Sequence, residues 1–238
     1  MKKSKALLLA LCAAALSVGV TFGTLAYLTD TEAVVNTFTV GQVGIELTEA
    51  AVNKNGEKID ITDDKQITDA DRRTKNEYHL LPGHTYFKDP TVTVDADSSD
   101  AYIRMMVTIN QSKEWDAICA KYTKPDGTHI GILDMFDGYD ANTWLYQGNK
   151  EDEANNTRTY EFRYKTTAND KSGKNGDGVL EALFTQLKMP GQLTNDDMKA
   201  IGNDFSITVV AHAIQADGFT TADAAWTAFD RQMSPVTP

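Results

Sequence analysis

The chain has 238 residues, 41% hydrophobic and 24% charged, an ordinary globular mixture that excludes collagen-like, mucin-like and disordered acidic chains. Lys and Arg number 23 against 34 Asp and Glu, a net charge of -11, so the basic surface that binds phosphate backbones is missing and no nucleic-acid partner is expected. The length fits one large β domain or two small ones.

In chain order, the first segment reads as a secretory signal peptide. Lys2, Lys3 and Lys5 form a positive start, residues 6–20 are apolar, and Thr24-Leu25-Ala26 ends on a small residue, so cleavage is expected between Ala26 and Tyr27. Ser17, Gly19, Thr21 and Gly23 dilute the run below the roughly 20 apolar residues of an anchor, so membrane contact is expected only through the uncleaved signal peptide. Its removal takes three basic residues and no acid, leaving residues 27–238 with a net charge of -14. Cys12 departs with it. A lipobox reading of Cys12 fails at Leu11, where a small residue belongs, and Cys119 remains as the lone thiol, with no intramolecular disulfide expected.

Beyond residue 40, period-2 alternation dominates. Val43, Ile45 and Leu47 face one way and Gly44, Glu46 and Thr48 the other; the pattern returns in residues 91–95, then in Ile103, Met105, Val107 and Ile109. Tyr160, Phe162 and Tyr164 alternate with charged residues, and Phe205, Ile207, Val209, Ala211 and Ala213 form a late strand. Half-wet strands without a βαβ rhythm predict an antiparallel β-sandwich with short helical insertions. One helix is expected over residues 112–122, with Trp115, Ile118, Cys119 and Tyr122 on its apolar face and Cys119 a buried structural thiol. Thr194 with Asp197 caps a second, ending at Gly202, and Thr220 with Asp223 a third, whose stripe of Ala222, Ala225, Trp226, Phe229 and Met233 is expected to pack on the core. Polar residues 53–76, 149–156 and 169–178 are expected to be loops. Residues 27–238 are read as one domain.

Particular residues carry a resemblance. The run Gly23-Thr24-Leu25-Ala26-Tyr27-Leu28-Thr29-Asp30-Thr31-Glu32, then Asn36-Thr37-Phe38-Thr39-Val40-Gly41 and Ile45-Glu46-Leu47, resembles the start of the TasA/camelysin family of proteins secreted by Gram-positive bacteria. Leu81-Pro82-Gly83, Lys88-Asp89-Pro90 and Ala101-Tyr102-Ile103-Arg104-Met105 resemble its following segment, and Ile214-Gln215-Ala216-Asp217-Gly218-Phe219 its members from anaerobic Firmicutes. The resemblance is specific at the N-terminus and diffuse over residues 49–76 and 144–178. It implies maturation by a SipW-type signal peptidase, a jelly-roll fold, and an extracellular or cell-surface fibre of the biofilm matrix, built by self-association and with other matrix proteins as partners. It also implies that the freed N-terminal segment of one subunit completes the sheet of its neighbour. Residues 27–40 suit such a donor, with Leu28, Val34, Phe38 and Val40 as anchors. The alternative is that residues 35–47 form the domain's own first strand.

Camelysin relatives imply a metallopeptidase, yet no His-Glu-x-x-His occurs, and His79, His84, His129 and His212 are scattered, the closest two flanking Leu80-Leu81-Pro82-Gly83. No nucleophile elbow or phosphate-cradling glycine loop occurs either. Asp60, Asp63, Asp64, Asp69 and Asp71, and Asp95, Asp97 and Asp100, offer the oxygen ligands calcium takes, without EF-hand spacing. Solvated acidic loops are the expectation and a weak calcium site the alternative; no other cofactor and no catalytic residue is expected. No Leu-Pro-x-Thr-Gly sorting motif is seen, so retention at the surface is expected to be noncovalent. The reading is a secreted structural protein, with a surface metallopeptidase and a monomeric adhesion or ligand-binding module as alternatives.

Overall fold

Alternating sequence becomes strand where apolar partners close one face, and this chain does so around a shared core. The computed structural model describes residues 29–33, 43–62, 71–202 and 204–233. The largest sheet has five antiparallel strands, with β1 (Thr29–Ala33) and β8 (Trp144–Asp152) at its edges. Between them run β11 (Ile207–Gln215), β6 (Ala101–Asn110) and β9 (Thr157–Tyr164), in the order β1-β11-β6-β9-β8. Ile103, Met105, Val107 and Ile109 of β6 all face inward and are fully buried, each burial contributing roughly 1.5–3 kcal/mol. Met105 lies opposite both Ala211 and Phe162, so a small and a large side chain flank it in the layer.

A second sheet, β3-β2-β5, pairs β2 (Ile45–Ala50) with β3 (Arg72–Arg73) and β5 (Thr91–Val94). Its Ile45, Leu47, Val92 and Val94 enter the same core as β6, β9 and β11. A third small sheet joins β4 (Thr85–Phe87), β10 (Gln186–Lys188) and β7 (Phe136–Asp137), β7 following a 3₁₀ turn at Ile132–Met135. The described chain is therefore mostly β, with antiparallel sheets, as the alternation predicts.

Three short helices occur among the described residues. α1 (Ser112–Cys119) buries Trp115 and Ile118, while Cys119 and Tyr122 pack on the core only in part. Cys119 is thus half-buried rather than enclosed; burial, reinforced by Asp116 and Asp134, pushes its thiol up to about 11. α2 (Asn195–Ile201) has the expected reciprocal cap: the Asp197 amide donates to Thr194 Oγ1 at 3.2 Å and the Thr194 amide to Asp197 Oδ2 at 2.9 Å. α3 (Ala222–Met233) starts one residue later than expected, since Thr221, not Thr220, accepts the Ala224 amide at 3.2 Å. Two adjacent threonines offer the same hydroxyl, and Asp223 is instead drawn to Arg163 at 2.5 Å. Ala225, Trp226 and Phe229 are buried as the stripe predicts, but in a separate small cluster with Ile214, and Met233 is 54% exposed.

Two further expectations are corrected. Residues 149–152 belong to β8 rather than a loop; an edge strand tolerates polar side chains, and Lys150, Glu151 and Asp152 pair with Thr159, Arg158 and Thr157. The late strand begins at Ile207, because Phe205 turns away to pack on Trp115 at 5.4 Å between ring centres.

Candidate functional site

The edge carrying β1 is the candidate site. Thr29 to Ala33 pair antiparallel with Ile214 to Val210 of β11, so the strand nearest the N-terminus of the described chain is also the outermost strand of its main sheet. The expected cleavage pair Ala26 and Tyr27, and the anchors Leu28, Val34, Phe38 and Val40, lie outside the described residues, as do Asp63, Asp64 and Asp69. Thr29 to Ala33, which fall within the proposed donor segment, run along β11. Val209, Thr208 and Ile207 precede the paired stretch of β11.

That stretch of β11 forms one wall of a cleft of about 560 Å³. Phe205, Ile207 and Val209 line it on one side and Leu47, Glu49 and Lys88 on the other. Its walls therefore combine the apolar side chains of two sheets with a buried ion pair. Lys88 Nζ donates to Glu49 Oε2 at 2.6 Å, and the two side chains are 8% and 10% exposed. Tyr78 borders the pair, its ring centre 5.8 Å from Lys88 Nζ and its hydroxyl donating to the Phe87 carbonyl at 3.2 Å. Burial first, and the Glu49 carboxylate second, hold the Tyr78 phenol far above its usual range, so it stays protonated.

The sequence reading missed this pair, although its signal was present. Glu49 continues the inward parity of Val43, Ile45 and Leu47, and a charge on a buried face requires a buried partner. Lys88 was visible only as part of Lys88-Asp89-Pro90.

The opposite edge is protected. β8 carries a bulge between Tyr146 and Gly148, which twists the strand away from regular pairing, and Lys150, Glu151 and Asp152 follow it. Leu145 and Tyr146 remain partly exposed there, at 38% and 37%.

The remaining sequence candidates do not converge. His84 stacks on Tyr86, His129 lies against the Tyr122 carbonyl, and His212 accepts from Arg104 Nε at 3.0 Å. Asp60 binds the Thr62 amide and hydroxyl, which hold its carboxyl below the usual range, and Asp100 accepts from Asn169 at 2.6 Å. Among the described residues no three His, Cys, Asp or Glu side chains form a metal-holding group, and no helix is long and apolar enough to cross a membrane.

No family model, curated protein or solved structure was found to match the chain.

Proposed function

We propose that this protein is a secreted, noncatalytic structural subunit that self-associates into, or decorates, an extracellular fibre on the cell surface, by exchanging its N-terminal strand between copies. The observation that carries the reading is the position of β1: it begins at Thr29, two residues after Tyr27 of the expected cleavage pair, and sits at the edge of the main sheet. A terminal edge strand held along one side is the element most easily traded for the same strand of a neighbour, because the exchange replaces each backbone hydrogen bond with an identical one. The fold is proposed to be a jelly-roll-like sandwich, in keeping with antiparallel sheets that share one core. Before cleavage the segment is tethered to the membrane by residues 1–26; processing frees it, which makes cleavage the trigger of assembly.

The cleft along Phe205, Ile207 and Val209 supports an acceptor role, since it offers apolar walls where the β11 register continues beyond β1. Phe38 is the largest apolar side chain of residues 34–40. Burying such a ring contributes roughly 1.5–3 kcal/mol, and its loss leaves a void in the acceptor. Phe38→Asp is therefore expected to leave the mature monomer folded by circular dichroism yet unable to assemble by sedimentation, while a polar change at Thr31 is tolerated. Unfolding of the Phe38→Asp monomer would assign Phe38 to the subunit's own core and end the donor role at that residue.

A further inference from the structure

The ion pair on the cleft wall has a chemistry of its own. Among the described ion pairs, only Lys88–Glu49 has both side chains at least nine-tenths buried; the pairs of Arg104 and Asp197 each leave a partner at least 21% exposed. Withdrawing two charges from water is costly, and their attraction in a low-dielectric site often repays that cost incompletely. A single neutral amide in place of the two charges would leave no ion pair to be held out of water.

We propose that Lys88 and Glu49 condense to an intramolecular isopeptide bond. The pair contains every atom the reaction needs. The step requires that one proton pass from Nζ to the carboxylate across the 2.6 Å contact, giving a neutral amine and a carboxylic acid. The amine lone pair then attacks the carboxyl carbon, a new C–N bond forms, one C–O bond breaks, and water leaves with an oxygen from Glu49 and two protons from Lys88. Charge is balanced at zero on both sides, and nothing is oxidised or reduced.

Three features of the surroundings favour this step. Groups held in contact react as an intramolecular pair rather than by chance encounter, and Glu49 on β2 and Lys88 just before β5 are fixed by adjoining paired strands. Asp89, the nearest rival carboxylate in sequence, is occupied elsewhere, accepting from Arg72 Nη1 at 2.5 Å and from the Ala50 amide at 2.7 Å. Both reacting side chains line the cleft, which gives the released water a way out. The product would join two segments 39 residues apart in sequence, in a chain whose only cysteine outside the apolar leader is Cys119. Such a bond would do for an exported protein what a disulfide does elsewhere.

Intact-mass measurement of the folded full chain, followed by peptide mapping, decides the matter. The expected result is a chain lighter than its sequence by one water in addition to any loss of the leader, with a branched peptide joining the Lys88 and Glu49 fragments. Lys88→Arg and Glu49→Ala are expected to restore the missing water. A folded, unaltered chain of full mass would overturn the proposal, and so would a water loss mapped to any other pair. The unaltered chain decides by itself if either variant fails to fold, and the outcome is independent of whether the protein forms fibres.

Discussion

Arg104 shows how one residue can tie an outer element to the sheet. It is 4% exposed, lies over the rings of Trp226 and Phe229 at 4.5 and 4.9 Å, and reaches Asp230 at 2.5 Å and Glu161 at 3.7 Å. Its Nε–H donates to His212 Nδ1, which requires that nitrogen to be unprotonated. Burial, followed by the Arg104 charge, lowers His212 to about 4, with Asp230 opposing the shift. In the unfolded chain the imidazole titrates near its ordinary value of about 6.5, so between that pH and about 4 the unfolded state binds the extra proton. Stability from this group is therefore fully present above about pH 6.5 and is lost as pH falls to about 4, a decrease of about 2–3 kcal/mol. Denaturant unfolding of the unaltered chain and of His212→Phe across that range checks the sign. The unaltered chain should lose more stability than the variant on acidification, and equal slopes would contradict the assignment.

At the scale of elements, α3 stands apart. Its buried Ala225, Trp226 and Phe229 pack with Ile214 outside the main core, and its polar ties are Arg104–Asp230 and Arg163–Asp223. Trp226→Ala should cost about 3 kcal/mol of local stability and open α3 without unfolding the sheets. Hydrogen exchange would register this as faster exchange confined to Ala222–Met233, and a matching rise in β6 would contradict it. The stripe of α3 was legible in the sequence because helical spacing names a buried face, but the spacing says nothing of which surface receives it. The central strands were legible for a related reason: β6 and β11 bury one face, and their alternation records it. β8 was not, because an edge strand with exposed faces carries no such record and its polar composition matches a loop. The two- and three-residue strands β3, β4, β7 and β10 are set by tertiary pairing and leave no period to read. The Glu49–Lys88 pair was half legible, as a charge at an inward position whose partner lies too far along the chain to be inferred.

For the whole molecule, the two edges of the main sheet are unequal. The β8 edge is guarded by a bulge and charged residues, whereas the β1 edge is formed by the segment that follows the expected cleavage pair. If copies exchange the N-terminal strand as proposed, this asymmetry would give assembly a direction, because one edge is guarded and the other is formed by an element that a neighbour could supply. The strong negative charge of residues 27–238 opposes nonspecific association, so in the proposed fibre backbone pairing would have to select the contact. The most direct measurement is electron microscopy of the purified mature chain beside a chain lacking residues 27–40, under matched conditions. Fibres are expected from the first and none from the second, which should remain soluble. Monomers from both, or fibres from both, would contradict self-association through the N-terminal strand.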